Sequence, residues 1–540
     1  MSEGGITLSL PPLLEKDPLI AKKQKVLQAR SITLEFQISV SGLACEDEAL
    51  QVLDKMVQAA RVLYLDELEL YFAGEDDTGP FSPRNELESL NLVLDVLSSS
   101  HQNTTNEKQQ ILHMLADRVV KMIESFGIKH TEEMMIEKDK YDANDLLLKW
   151  GEDNGVRTKL QIAHYEGAGR GAVAVEDVNV GEIALEVPES ILISEEVLSE
   201  SDMFQVLNGT DGMTTETMLL LWSMKERYNP NSRFRVYFDS LPQEFNTGLS
   251  FGIDALSVLE GTLLFEEILQ AKQHLHEQYE AICPVLCSTY PDIFLPTLYT
   301  WDKFLWACEL WYSNGIKVVF ADRKLRMCLV PIAGLLNHSL CPHILHYGKV
   351  DQVSKLLKFT LSRPCKEGEQ CYLSYGSYSG SHLVTFYGFL PKGENPYDVI
   401  PLDIDAPKVE DLSSQPSTSG SDWTTHMVRK PGSFKKNGNY GLPPPLLAHL
   451  RAALQEDDIV LHPEMSNSSI INKENERAVL ETLISIFDPM MEGLTDADCH
   501  DSGDSSWDIK LAQEFKKLHR EIISSVIAAC SSGLEMLDHL

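Results

Sequence analysis

Between Gly167 and Ser194 the chain reads "GAGRGAVAVEDVNVGEIALEVPESILIS". Short β-rich runs are cut by Gly and Pro before any of them reaches helical length, so this stretch reads as strands and tight turns. Helical periodicity lies on both sides. Upstream, Val52, Leu53, Met56, Val57, Ala60, Leu63 and Tyr64 recur at helical spacing between Asp47 and Phe72. A second amphipathic face carries Ile111, Leu112, Leu115, Val119, Met122 and Ile123. Downstream, Glu216–Ala321 is helical in pattern ("TMLLLWSMKERY", "WDKFLWACELW"), and strand-like runs return from Leu325 to Leu402 ("LLKFTLSR", "EQCYLSYG"). The low-complexity run "DLSSQPSTSGSD" (Asp411–Asp422) reads as a linker, and helical segments follow, the last with Phe515, Leu518, Ile522 and Val526 on its apolar face.

The fold class expected is therefore α+β, a β-rich core interrupted by a helical insert. The boundaries are a helical extension over 1–145 opening with a mobile leader at 1–30, and a core over 146–405 with its insert at about 196–325. A flexible linker over 406–435 and an all-α lobe over 436–540 follow. No internal repeat is visible at any fixed period. The N-terminal helices carry no chemical motif, and packing or partner docking is the role expected of them.

Composition narrows the function. A chain of 540 residues with 43% hydrophobic and 24% charged residues has room for several cored domains. Its 46 Lys+Arg against 81 Asp+Glu, a net charge of −35, argues against nucleic-acid partners, which are held by neutralising phosphates. The ten cysteines form no Cys-x-x-Cys pair, so reduced thiols and an intracellular, soluble protein are expected. No apolar run is long enough to span a bilayer, and the leader is poor in Arg and Ser, leaving cytoplasm, nucleus and plastid open.

Several motifs fail. "GSYSG" (Gly376–Gly380) has Tyr378 where a nucleophile elbow needs Ser, and "GAGRG" (Gly167–Gly171) precedes a strand, not the helix a dinucleotide site requires. His338, Cys341, His343 and His346 match no usual zinc spacing. "PIAGLLNHS" is different, because it sets Asn337, His338 and Ser339 at the end of an apolar run, where unpartnered polar groups are costly.

Taken in order, these pieces resemble the SET-domain methyltransferases, in the branch typified by the plant Rubisco large-subunit lysine methyltransferase. The Gly167–Ser194 stretch is similar to that family's opening segment, and "FRVYFDSLPQEFNTGLSF" (Phe234–Phe251) to the start of its helical insert. "LVPIAGLLNHS" (Leu329–Ser339) resembles its cofactor motif, and "EGEQCYLSYG" (Glu367–Gly376) with "FYGFLPKGENPYDVI" (Phe386–Ile400) its catalytic end. The resemblance runs from Leu146 to the C-terminus. It implies S-adenosylmethionine (AdoMet) as methyl donor, no metal, and a protein substrate held by the C-terminal helical lobe. Glu166, Gly167, Ala168, Asn337 and His338 would face the cofactor, Tyr375 would be the catalytic tyrosine, and Tyr387 and Asn314 would line the substrate channel.

The activity so implied is protein-lysine N-methylation of a non-histone protein. Two alternatives stand beside it, a weak or inactive SET-fold scaffold and a histidine methyltransferase. The scaffold reading rests on departures from the family pattern. Asn314 stands where the family has Arg, Gly334 where it has Asp, and Gly380 and His382 replace Asn and Glu in "SGSHL".

Overall fold

The Gly- and Pro-punctuated stretch folds into small antiparallel sheets. The structure is a computed structural model that describes residues 5–39, 45–74, 77–100, 105–130, 136–137, 142–165, 169–405, 423–431, 440–455, 470–494 and 505–539. Strands Leu160–Tyr165 and Gly169–Ala174 pair with Leu160 opposite Ala174 and Tyr165 opposite Gly169. Gln370–Cys371 and Ile136–Glu137 extend them to four strands. A second sheet sets Ile183–Pro188 between Leu356–Thr360 and Arg157–Thr158, and Gly315–Val319 pairs with Leu325–Leu329 as a ribbon.

Helices from Glu196–Ser199 to Trp301–Asn314 fill the interval between the first sheets and that ribbon. Sheets and insert share one apolar core, in which Val187, Leu221, Phe304, Cys308 and Phe359 are fully buried. Each such side chain contributes roughly 1.5–3 kcal/mol relative to exposure. Among the described residues no helix is long and apolar enough to cross a membrane.

Two lobes flank this core, and both differ from the sequence expectation. At the N-terminus the leader contains a strand, Ile6–Ser9, which pairs with Glu35–Ile38 around the helix Ile20–Ala29. Ile6, Leu8, Phe36 and Ile38 point into the core on alternate positions, a period too short in sequence to stand out. The helix expected over 47–72 is two, Cys45–Leu63 and Glu67–Phe72. The break falls at Asp66, whose carboxylate accepts from the Glu69 N–H while Glu69 accepts from the Asp66 N–H. A further helix, Pro83–Ser99, precedes Asn106–Lys129.

At the C-terminus the expected linker contains the strand Trp423–Val428, paired with Ile400–Asp405, so the region after the core is not all helical. "DLSSQPSTSGSD" itself lies outside the described residues. Helices Pro444–Ala453, Lys473–Gly493 and Trp507–His539 complete this lobe.

The lobes share one plan, correcting the expectation of no repeat. Each has an antiparallel strand pair, then a helix carrying an Arg in its last turn, then a helix opening on Asn-Glu and a long closing helix. In the first, Arg61 donates Nε and NH2 to Glu86 at 2.6 and 2.8 Å, across 25 residues. In the second, Arg451 donates the same two groups to Glu476, both at 2.7 Å, again across 25 residues. The Asn85 and Asn475 amides reach back to the Arg61 and Arg451 carbonyls at 2.9 and 3.0 Å. Ser82 and Asn472 cap the second helix identically, by accepting from the N–H three residues on. Leu90, Val93 and Leu97 face one core as Leu480, Leu483 and Phe487 face the other, all fully buried.

Candidate functional site

The apolar run before Asn337 ends in a strained turn. Ile332, a β-branched residue, adopts φ 71°, and the 3-10 turn Ala333–Leu335 delivers Asn337 to the sheet edge. The Asn337 carbonyl accepts from the Leu373 N–H at 2.8 Å. Its amide nitrogen donates to the Arg170 carbonyl and to Gln370 Oε1, both at 3.0 Å. Asn337 therefore ties three chain segments together as well as facing the cleft. A Cβ on Gly171 would come within 2.9 Å of the Asn337 amide, so only glycine allows this approach.

His338 Nδ1 accepts from the Tyr375 N–H at 3.1 Å, and the two rings stack at 5.2 Å. Burial pushes the imidazole down to about 4, so it is neutral at physiological pH. The Tyr375 hydroxyl donates to the Leu336 carbonyl at 3.0 Å, and its ring stacks on Tyr387 at 5.0 Å. Burial raises both tyrosine hydroxyls well above their ordinary range. Tyr387 is fixed by the next residue. Gly388 turns at φ 77°, and a Cβ there would collide with the Asn246 carbonyl.

Two cavities meet at this pair. A cleft of about 640 Å3 is lined by His164, Arg170, Asn337 and His338, and a second of about 440 Å3 by Lys317, Met327, Tyr347 and Tyr378. Ser313, Asn314, Gly334, Tyr375 and Tyr387 belong to both. The structure thus brings together Asn337, His338, Tyr375, Tyr387 and Asn314. Glu166, Gly167 and Ala168 lie outside the described residues, although Gly169 and Arg170 beside them line the cleft.

Arg170 was not among the residues singled out from sequence. Burial lowers its guanidinium, and its one strong electrostatic neighbour among the described residues is the Tyr237 hydroxyl, with no carboxylate. A basic residue inside a Gly-rich strand was the signal available.

The four departures sort into two places. Asn314 ends its helix and donates to Ser313 Oγ at 2.8 Å, and a Cβ on Gly334 would stand 2.9 Å from Asn314 Oδ1. The two positions at which the resemblance implies an Arg and an Asp are therefore neighbours. Gly380 lies outside both cavities, beneath Asp398 and Leu518, where a Cβ would meet them at 3.0 and 3.4 Å. Its N–H donates to Asp398 at 2.5 Å, and burial raises that carboxyl to about 6. His382 stacks on Tyr378 at 4.1 Å.

This pairing is testable. Asn314 is half-buried and Gly334 exposed on the cavity wall, so Asn314→Arg and Gly334→Asp are each expected to destabilise the protein by no more than about 1 kcal/mol. The double variant is expected to recover most of that loss in denaturant midpoint. Additive losses would show that the two positions are uncoupled.

The sequence's candidate zinc quartet is dispersed. His343 Nε2 faces Glu369 Oε1 at 3.0 Å and its Nδ1 accepts from the Tyr372 N–H at 3.0 Å, while His346 faces Glu88 at 3.8 Å. Cys365 and Cys371 lie within 4.8 Å of His343, but both imidazole nitrogens are already engaged.

Small antiparallel sheets around a helical insert, with two cavities meeting at a stacked tyrosine pair, make this a Rubisco LSMT-like SET-fold chain. The solved structures it resembles include the SET domain of LSMT bound to lysine and AdoHcy (TM-score 0.54, 20% identity, 74% of this chain and 93% of that one). Rubisco LSMT bound to AdoMet is another (TM-score 0.53, 20% identity, 74% and 94%). Among curated proteins, the chain is 28% identical over 251 residues to the chloroplastic [fructose-bisphosphate aldolase]-lysine N-methyltransferase of Arabidopsis thaliana, covering 45% of this chain and 51% of that one. It is 25% identical over 336 residues to the actin-histidine N-methyltransferase of Gallus gallus (58% and 54%). It is also 25% identical over 380 residues to the chloroplastic ribulose-1,5 bisphosphate carboxylase/oxygenase large subunit N-methyltransferase of Pisum sativum (66% and 75%). The chain spans about half the length of the first two.

A family model described as Rubisco LSMT substrate-binding matches residues 15–150. That match falls on the N-terminal lobe, outside the stretch from Leu146 onward that carries the resemblance, which implies such a lobe at 436–540 instead.

Proposed function

We propose that the chain is an AdoMet-dependent protein-lysine N-methyltransferase acting on a non-histone protein. The meeting of two cavities at Tyr375 and Tyr387 carries this reading, with the larger taking AdoMet and the smaller the acceptor side chain. A cleft of about 640 Å3 is of ligand size. Its residues suit AdoMet: Arg170 offers a cation to a carboxylate, Gly169 leaves open space beside it, and neutral His338 puts no positive charge against a sulfonium. Bound there, AdoMet supplies an electrophilic methyl group.

The chain's own residues align and desolvate the acceptor. An incoming amine, with an ordinary pKa near 10.4, must be neutral to attack, and an aromatic-walled channel disfavours its charged form. Tyr375 and Tyr387 hold their protons at neutral pH, so they act as hydrogen-bonding and packing groups, not as bases. The amine therefore gives its proton to solvent water before it is aligned. Alignment itself is the main catalytic contribution in a displacement of this kind. The eight cysteines whose side chains are described are free thiols, in keeping with the reducing compartment we propose.

Calorimetric titration of AdoMet tests the reading. Micromolar binding is expected, weakened roughly 10–150-fold by Arg170→Ala, the size of a lost charge-assisted contact. Failure of the folded protein to bind AdoMet would favour the inactive scaffold. Acid hydrolysis of labelled product separates methyl-lysine from the methyl-histidine that the Gallus gallus relative's name describes.

A further inference from the structure

Among the described residues, Lys317 is the one side chain carrying a full charge on the wall of the smaller cavity, the one that takes the acceptor. It lies on the strand Gly315–Val319 with Met327 opposite it, and Lys317 and Met327 both line that cavity beside Tyr347. Val318, the next residue, points the other way and is fully buried. The alternation of the strand therefore sets Lys317 on the exposed side, at the mouth of the cavity. The cavity's one histidine, His346, is pushed down by burial and by Arg84, so it adds no charge at physiological pH. Lys317 has no place in the lining of the AdoMet cleft.

The chain supplies this cation with no partner. Among the described residues no carboxylate lines the cavity, and no ion pair or hydrogen bond engages the Lys317 ammonium. Acids are not scarce, since the chain has 81 Asp+Glu against 46 Lys+Arg. Arg326, on the neighbouring strand, is met by Asp322, Glu195 and Glu196 at 2.7, 3.2 and 3.3 Å. Unpaired lysines are ordinary on a surface, but this one stands where another protein's side chain must enter.

We infer that Lys317 helps to select the substrate, by receiving an Asp or Glu carboxylate that lies within two residues of the acceptor in the substrate chain. This inference rests on the methyltransferase reading above and adds to it the chemistry of the sequence that is methylated.

Entry, reach and geometry each support it. The acceptor lysine arrives at the mouth as an ammonium, because it titrates near 10.4 in water. Lys317 repels that charge, and a carboxylate travelling with the acceptor offsets the repulsion. A side chain inserted in the cavity leaves its own backbone at the mouth. Residues one and two positions away then lie about 4–7 Å along the chain, within reach of a lysine stem. An ammonium is a compact point charge without the planar fork of a guanidinium, so Asp and Glu serve equally. A single cation gives a polyanion too little to neutralise, which sets nucleic acid aside.

Methylation of a cell extract by the full chain tests this, with AdoMet carrying a deuterated methyl group. Sites labelled only when the chain is added are read by mass spectrometry. Asp or Glu is expected within two residues of the methylated side chain. The substrate so found is then prepared with that carboxylate changed to Lys, and both forms are offered to the parent, to Lys317→Ala and to Lys317→Glu. In the parent the change is expected to lower kcat/KM about 3–10-fold, the scale of an exposed attraction turned into a repulsion. Lys317→Ala is expected to treat the two forms alike, and Lys317→Glu to prefer the Lys form. A purely structural role for Lys317 would not invert the preference. Equal AdoMet affinity in all three chains is expected, because Lys317 stands outside the cleft. Sites without a carboxylate within two residues, or a preference that neither variant alters, would overturn the inference and leave the methyltransferase reading standing. Absence of deuterated methyl from every protein would defeat that reading, and this inference with it.

Discussion

Tyr375→Phe is expected to lower methyl transfer by about 10²–10³-fold, the loss found when one positioned hydrogen-bonding group is removed from a transition-state site. The affinity for AdoMet is expected to stay within about threefold of the parent, because the interaction removed acts on the reacting centre and not on ground-state binding. The geometry separates the two effects. The Tyr375 ring is held by His338 at 5.2 Å and Tyr387 at 5.0 Å, contacts that Phe retains. Only the hydroxyl is lost, and it stands on the wall shared by the two cavities, donating to the Leu336 carbonyl. Removing it frees that carbonyl and leaves an incoming amine without its polar neighbour. Tyr387→Phe removes a hydroxyl from the same shared wall but leaves the Tyr375–Leu336 bond intact, so its cost is expected to be smaller. Labelled-methyl transfer measured beside calorimetric AdoMet binding decides the matter. Activity within fivefold of the parent in Tyr375→Phe would remove Tyr375 from the catalytic role.

What the sequence revealed depended on how local each signal was. Asn337, His338, Tyr375 and Tyr387 could be named because polar residues at the end of an apolar run, and tyrosines beside glycines, are visible within a few positions. Their convergence on one wall was not visible in spacing, and came from the order of the motifs. Arg170 escaped because its meaning lies in its folded neighbourhood, where burial lowers its guanidinium beside the Tyr237 hydroxyl, and spacing does not show that. Ile332 at φ 71° escaped for the opposite reason. Its residue type argues against the conformation that the surrounding packing enforces.

Two features hide the N-terminal lobe in its sequence. Strand Ile6–Ser9 has only four residues, and Asp66 breaks a helix whose apolar spacing continues past it. The repeat stayed hidden because the copies agree chiefly in an Arg, an Asn and a Glu spread over 25 residues, while the apolar positions vary between Leu, Val and Phe. A fold tolerates hydrophobic exchange of similar volume, but it does not tolerate loss of one partner from a buried polar network. The polar contacts of the two lobes therefore match where their sequences do not.

That asymmetry sets the second large effect. Arg451→Ala is expected to destabilise the C-terminal lobe by about 3–5 kcal/mol, since it strands the Glu476 carboxylate in a site from which water is excluded. Side-chain exposure is 3% for Arg451 and 0% for Glu476, against 14% and 7% for Arg61 and Glu86. Arg61→Ala is accordingly expected to cost less in its own lobe, where water can reach the abandoned carboxylate. Replacing both partners together, as Arg451→Met with Glu476→Leu, is expected to restore most of the stability, because no buried charge remains. Hydrogen exchange in the helices Pro444–Ala453 and Lys473–Gly493 reads the effect within the lobe, where a whole-chain melting curve would mix several domains. The catalytic cleft draws none of its lining from these helices, so AdoMet binding should survive Arg451→Ala even as substrate methylation falls. If exchange in the lobe is unchanged in Arg451→Ala, the Arg–Glu pair is not what fastens its helices. The shared architecture of the two lobes would then have to rest on their apolar faces alone.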